Sequence, residues 1–224
     1  TDFSCTKLKK EDWAEVWKIH FKPLVISDTL AITPTWEHFE PKPGQVLIKL
    51  DPGMSFGTGQ HATTKSCLAS IDRFISELRG KGQKEIAMLD AGSGSGILAI
   101  AARKLGCTRV DAFDIDPDTV GVARENAQKN GIADQELSIA AASLMEYESD
   151  TRYDIVAANI LSSALLAGKE KLLSFCKPGT RLILAGILDA EYFKVKEAFE
   201  ATGHCTELYN VLEKEWRGGA YLVK

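Results

Sequence analysis

The sequence predicts a doubly wound α/β domain, a mostly parallel seven-stranded sheet with an antiparallel C-terminal strand, preceded by a small N-terminal lobe. Three observations carry this expectation. Strand-like apolar runs alternate with helical stripes through residues 86–202. The first of these strands runs into the glycine-rich stretch M-L-D-A-G-S-G-S-G (Met88 to Gly96) and straight on into the apolar run Ile97 to Ala102, the order strand, tight turn, helix. The last two strands follow one another without a helix, so they must pair antiparallel or sit apart.

Taken in order, residues 1–10 are polar, and Trp13, Val16, Trp17 and Phe21 form a helical stripe. Residues 24–26 and 30–32 are short β-like runs separated by Ser-Asp, which reads as a hairpin-like pair. Proline-bearing turns at 33–36 and 41–44 precede a further strand over 45–50. Residues 1–50 are read as the N-terminal lobe packed on a main domain of 51–224. That domain opens with a second glycine-rich loop, D-P-G-M-S-F-G-T-G (Asp51 to Gly59). A helix follows, marked by Ala62, Cys67, Leu68, Ile71, Phe74, Ile75 and Leu78, with Thr63 and Thr64 in its first turn. Those hydroxyls suit either a helix cap or a ligand contact. Strands are then expected over 86–90, 109–114, 135–140, 153–159 and 180–185, with helices over 96–105, 117–130, 162–176 and 190–202. The closing strands cover 204–212 and 216–223.

Bulk properties narrow the function classes. The 224 residues suffice for one good-sized domain with a substantial core. A net charge of −4 provides no basic footprint for nucleic acid, so direct nucleic-acid binding is not expected. The five cysteines (Cys5, Cys67, Cys107, Cys176, Cys205) are scattered and odd in number, without C-x-x-C pairs or histidines at ligand spacing. They are read as reduced packing residues of a cytoplasmic protein, with no metal. No apolar run is long enough to span a bilayer, and no signal peptide is visible. Thr1 in place of Met reads as the start of a fragment.

The glycine stretch carries the chemistry. Gly92, Gly94 and Gly96 let the backbone turn tightly and let a ligand lie against the main chain, while the helix that follows opens on unpaired N–H groups. Dinucleotide sites use G-x-G-x-x-G; here the spacing is G-x-G-x-G after an acid, Asp90. Asp114 ends the next strand, about twenty residues on, where a carboxylate can accept hydrogen bonds from both ribose hydroxyls. Asp116 before Pro117 is a helix start, with Asp as cap and Pro at the first helical position. Asn159 closes the fourth strand of the domain. It reads either as a turn residue or as an amide whose carbonyl orients an incoming amine.

These residues bring a resemblance with them. D-A-G-S-G-S-G followed by D-I-D-P resembles class I S-adenosylmethionine-dependent methyltransferases. Together with F-G-T-G-Q-H-A-T-T (Phe56 to Thr64) and A-N-I-L (Ala158 to Leu161), it resembles the PrmA family, bacterial enzymes that methylate large-subunit ribosomal protein eleven. The similarity extends from about Trp13 through W-K-I-H-F-K-P-L (Trp17 to Leu24) to E-K-E-W (Glu213 to Trp216). The resemblance implies S-adenosylmethionine as donor, S-adenosylhomocysteine as product, and a ribosomal protein as substrate of a monomeric enzyme. It implies that Thr64, with Thr63 beside it, contacts the methionine end, and that Gly92 and its loop, with Gly94, Gly96 and Asp90, pass under the methionine and ribose. Asp114 would hold the ribose, Asn159 would sit near the donor methyl and the amine, and the loop holding Phe56 and Gly57 would close over the site. The family usually adds a small N-terminal recognition domain, which nothing before Lys10 can be.

Methyl transfer from a sulfonium needs alignment and a neutral amine, so desolvation can replace a general base. His61 lies in the right loop to assist, against the ordinary role of a lone histidine as a loop hydrogen-bonder. The rival readings are a methyltransferase acting on another protein lysine, a small molecule or RNA, an inactive cofactor-binding relative, and a nicotinamide-dependent oxidoreductase. Enzymes that methylate base amines resemble N/D-P-P-Y/F at Asn159, where this chain has Ile160 and Leu161. The G-x-G-x-G spacing and the two terminal strands count against the oxidoreductase.

Overall fold

The computed structural model describes residues 21–51 and 61–224. The helix expected over the Trp13 and Trp17 stripe therefore lies outside the described residues, apart from Phe21. So does the second glycine loop, with Phe56 and Gly57.

Two sheets form. The smaller comprises β1 (Leu24–Val25), β2 (Leu30–Thr33) and β3 (Val46–Lys49). β1 and β2 are antiparallel, with Leu24 opposite Ile32, and β2 and β3 are parallel, with Leu30 opposite Val46. The hairpin-like pair is thus present, and a third strand joins it across the proline-bearing turns. Leu30, Ile48 and Leu50 belong to the same apolar cluster as Cys67, Leu68 and Ile71 of α1 (Ala62–Gly80). Polar clamps reinforce the packing: Asp72 of α1 accepts the hydroxyls of Ser27 and Thr29, each at 2.6 Å. The Asn130 amide exchanges two bonds with the Lys49 backbone, at 2.8 and 2.7 Å.

The main sheet contains β4 (Ala87–Ala91), β5 (Arg109–Asp114), β6 (Ser138–Ala141), β7 (Tyr153–Asn159), β8 (Cys176–Leu188), β9 (Cys205–Glu213) and β10 (Trp216–Val223). Their order is β6-β5-β4-β7-β8-β10-β9. β4 is parallel to β5 on one side and to β7 on the other, so the strand order reverses between β4 and β7. In an open α/β sheet a ligand crevice lies at this reversal, beyond the strand C-termini. Ile155 to Ala158 are fully buried, as expected where helices cover both faces. α1, α2 (Ile97–Lys104) and α3 (Pro117–Lys129) contribute to one apolar cluster; α4 (Ser162–Ala167), α5 (Lys169–Ser174) and α6 (Asp189–Glu200) contribute to the other.

Some element bounds differ from the sequence reading, and the order of the closing strands goes beyond it. The single helix expected over 162–176 is broken into α4 and α5 at Gly168, where a Cβ would lie 2.1 Å from Leu144 Cδ2. β8 begins at Cys176 rather than 180, because Cys176 pairs with Tyr153 and the Thr180 hydroxyl donates to the Tyr153 carbonyl at 2.6 Å. β10 inserts between β8 and β9, antiparallel to both, which leaves β9 as the edge strand.

Candidate functional site

The glycine loop between β4 and α2 is wound tightly. Gly92, Gly94 and Gly96 have φ of 77°, 53° and 79°, the left-handed region that disfavours a Cβ. Two neighbouring amides, Gly92 N–H and Ser93 N–H, donate to the Phe113 carbonyl, both at 2.9 Å. This draws the loop against the end of β5, where Gly94 N–H donates to Asp114 Oδ2 at 2.8 Å. Asp114 Oδ1 accepts Asp116 N–H at 3.1 Å. Each oxygen of Asp114 is thus fixed by one backbone bond, and each keeps acceptor capacity for a ligand hydroxyl. Asp116 caps α3, accepting Asp118 N–H at 2.9 Å, with Pro117 at the first helical position.

Two adjoining cavities open here, sharing Gly92, Asp114, Ile160 and Leu161. The one toward β5 and β6 has a volume of about 260 Å³ and is walled by Phe113, Ile115, Ala142 and Leu144. The one toward β7 and β8, of about 300 Å³, adds Gly94, Asn159, Gly186 and Trp216. Ile115 and Leu161 are 73 % and 69 % exposed although large and apolar, and both line the first cavity. Apolar side chains held open beside a carboxylate suit a planar nucleobase with its ribose. Ile160 sits between two glycines. A Cβ at Gly92 would lie 2.3 Å from Ile160 Cγ2, and one at Gly186, where φ is 80°, 2.6 Å from the Ile160 carbonyl oxygen. Glycine at both positions allows the Asn159-Ile160 backbone to reach the cavity wall.

At the start of α1, Thr63 and Thr64 are buried. Thr63 serves the cap: its hydroxyl lies 2.8 Å from His61 Nδ1, which also accepts Thr63 N–H at 3.4 Å. His61 packs edge-on to Trp216, with ring centroids 5.0 Å apart. His61 thus makes the loop hydrogen bond expected of a lone histidine at this position. Thr64 Oγ1, by contrast, is buried without a hydrogen-bond partner, as are Asp90 Oδ1, Ser93 Oγ and Asn159 Oδ1. Buried polar atoms are normally paired. Three of these atoms, on α1, β4 and the glycine loop, fit a polar ligand with several donors, such as the amino-acid portion of S-adenosylmethionine, and the fourth, at the end of β7, is open to a separate donor. Asp90 is fully buried, and its Oδ2 accepts Ala99 N–H of α2 at 3.1 Å. Burial pushes its carboxyl up to about 7, against the pull of that N–H and with a contribution from nearby Asp114.

Of the residues singled out from the sequence, Gly92, Gly94, Asp114 and Asn159 line the second cavity. Gly96 stands behind them, where a Cβ would be 3.0 Å from Ala123 Cβ, so it serves the packing of α2 on α3. Phe56 and Gly57 lie outside the described residues. Ile115, Leu144, Leu161 and Gly186 escaped the sequence reading. Ile115 alone left a signal, an apolar residue wedged between Asp114 and Asp116 where neither strand nor helix needs one. Trp216, from the E-K-E-W stretch, also lines the second cavity. Among the described cysteines, Cys67, Cys107 and Cys205 are buried and all four are free thiols. No described helix is long and apolar enough to cross a membrane.

Comparison with known proteins follows this geometry. Residues 1–218 match the family model described as ribosomal protein L11 methyltransferase (PrmA). The chain is 42 % identical over 213 residues to the ribosomal protein L11 methyltransferase of Citrifermentans bemidjiense, covering 94 % of this chain and 67 % of that protein. It is 43 % identical to the protein of the same name from Geobacter metallireducens, covering 94 % and 66 %. The chain spans about two thirds of the length of these relatives. Among solved structures it is similar to a ribosomal protein L11 methylase from Lactobacillus delbrueckii subsp. bulgaricus. That match has a TM-score of 0.79 and 34 % identity, and covers 91 % of this chain and all of that one.

Proposed function

This chain belongs to the ribosomal protein L11 methyltransferase (PrmA) family, and from that premise we propose that it methylates amines of ribosomal protein L11 with S-adenosylmethionine as donor. The acceptors in this reading are lysine side chains and the N-terminal amine. The single observation that carries the proposal is the convergence of Asp114, Asn159 and the glycine loop on two joined cavities, the second of them lined by the Asn159 amide with its unpartnered Oδ1. When bound, S-adenosylmethionine supplies a methyl group on a sulfonium, already activated for displacement.

The residues then divide the work. Asp114, fixed by Gly94 and Asp116, holds the ribose hydroxyls. Ile115, Leu144 and Leu161 enclose the adenine. Thr64, Asp90 and Ser93 take the amino-acid end, with Phe56 and Gly57 in the covering loop. Asn159 is the catalytic residue: its unpartnered Oδ1 accepts an N–H of the incoming amine and aims the nitrogen lone pair at the methyl group. A free lysine has a pKa of about 10.4, and an ammonium cannot attack. Moving it into a cavity walled by Ile160, Leu161 and Trp216 removes its water and favours the neutral form, so the chain needs no dedicated base.

The same reading makes residues 1–50 a linker-side lobe packed on a catalytic domain of 51–224, working as a cytoplasmic monomer. The test is incubation of the full-length protein with isotopically labelled S-adenosylmethionine and ribosomal protein L11, followed by peptide mapping. Label on lysine or N-terminal amines is expected; its absence from a protein that binds the donor defeats the substrate assignment.

A further inference from the structure

The mouth of the second cavity continues onto an outer surface that the donor site does not use. Leu161 belongs to the cavity wall, and the next residue, Ser162, donates its hydroxyl to Glu191 Oε2 of α6 at 2.6 Å. β8 runs alongside. Its Gly186 lies against the Ile160 backbone, and Leu188, which ends β8 and precedes α6, stands opposite Trp216 of β10, a residue of the same cavity wall. Asp189 N–H donates to the Glu215 carbonyl at 2.8 Å, which ties the start of α6 to the turn before β10. On this rim Leu188 and Phe193 are 40 % and 54 % exposed although large and apolar. The Phe193 ring is nevertheless held in place. Tyr192 meets it edge-on with centroids 5.6 Å apart, and the Arg217 guanidinium lies 5.5 Å from its centroid. Arg217 is itself fixed, donating from Nε to Asp189 Oδ1 at 2.7 Å and from Nη1 to Asn210 Oδ1 at 2.6 Å. An exposed ring gripped by its neighbours has little rotamer freedom left to lose when a partner covers it.

We infer that Leu188, Glu191 and Phe193 form the docking surface for the polypeptide that carries the target amine, a lysine-bearing segment with an apolar side chain close to that amine. The inference rests on reading the second cavity as the acceptor site. An amine that reaches Asn159 through this mouth lays its own chain across the rim beside Leu161 and Trp216. Leu188 and Phe193 offer that chain an apolar footing, and a fixed aromatic ring is the kind of anchor that carries a large share of the energy at an interface. Glu191, placed next to the mouth by Ser162, suits a basic segment and repels the phosphates of RNA. A free small amine would enter the cavity without touching this surface. Recognition and chemistry are therefore divided: the rim acts on KM for a protein substrate, and Asn159 acts on kcat.

Steady-state kinetics of the full-length protein with ribosomal protein L11, at saturating S-adenosylmethionine, tests this. In Phe193→Ser the KM for ribosomal protein L11 should rise about tenfold while kcat and the donor Kd stay within about twofold of wild type, and Phe193→Trp should restore KM. Leu188→Ser should act in the same direction. Glu191→Gln, which keeps an oxygen for the Ser162 hydroxyl, should make kcat/KM less dependent on salt. An unmoved KM in Phe193→Ser, or an unmoved salt dependence in Glu191→Gln, overturns the inference. So does a KM that changes only together with kcat or donor affinity, which is what a purely structural role of the ring produces. A wild-type dimer in sedimentation that Phe193→Ser converts to monomer assigns the surface to a second copy of this chain and overturns the inference as well. Wild-type protein that binds the donor yet methylates no amine of ribosomal protein L11 overturns instead the reading of the function, and the inference falls with it.

Discussion

Replacing Asp114 by alanine removes the group on which the nucleoside assignment depends. Its two oxygens are each oriented by one backbone bond, from Gly94 N–H at 2.8 Å and Asp116 N–H at 3.1 Å. That leaves one strong acceptor position per oxygen for the ribose hydroxyls. A hydrogen bond to a charged group contributes about 1.5–3 kcal/mol, so losing two weakens binding by about 3 kcal/mol or more, at least a hundredfold. Asp114→Ala also strips Gly94 and Asp116 of their acceptor, which loosens the loop and moves the result in the same direction. Calorimetric titration with S-adenosylmethionine at pH 7 measures the effect. Asp114→Asn, which keeps the shape and one acceptor oxygen, should fall between wild type and alanine. If the alanine variant binds within twofold of wild type while remaining folded, the ribose is held elsewhere and the reasoning fails.

Other perturbations probe different parts of the account. Gly92→Ala forces an L side chain to φ 77° with its Cβ 2.3 Å from Ile160 Cγ2, and strain plus overpacking of about 2–4 kcal/mol should lower Tm by roughly 4–16 °C. Adding Ile160→Ala to that variant should recover the overpacking share but not the backbone strain, and no recovery would show that the clash is not the cause. Asn159→Ala should reduce kcat by about a hundredfold while the donor Kd stays within threefold, a split that steady-state kinetics and calorimetry resolve. The pH dependence of folding is a further handle on Asp90. Its carboxyl is raised to about 7 in the native protein from an ordinary 3.8, so the native state holds a proton that the unfolded chain has lost between these values. Stability from this group is complete below about pH 4 and is lost as pH rises through 7, a swing of roughly 4 kcal/mol. Urea denaturation of the ligand-free protein should show that decline, and the curve for Asp90→Asn should be flatter by a similar amount.

Much of this arrangement was legible because it rests on local chemistry. A strand, three alternating glycines and an apolar helix can close in few ways, and the positive φ at Gly92, Gly94 and Gly96 is the reason for their spacing. Asp114 and Asp116, two residues apart, were separable because one ends a strand and the other precedes a proline at a helix start. The features that escaped depend on tertiary neighbours. Gly186 is needed for its φ of 80° and because the Ile160 carbonyl oxygen lies 2.6 Å from where its Cβ would be, and Gly168 because Leu144 packs against it. Leu161 precedes the helix expected from 162, and only the fold sets it open beside the cavity. The interior position of β10 follows from pairing with β8 across residues 181–188, a long-range register that no local pattern records.

The central claim is that this chain brings a donor methyl group to an amine of a ribosomal protein. Mass spectrometry of ribosomal protein L11 after incubation with the full-length protein and trideuteromethyl-labelled S-adenosylmethionine tests it most directly. The account predicts labelled methyl groups on lysine side chains or the N-terminal amine, with little label when Asn159→Ala replaces the wild type. A wild-type protein that binds the donor, yet leaves every amine of ribosomal protein L11 unlabelled, would contradict it.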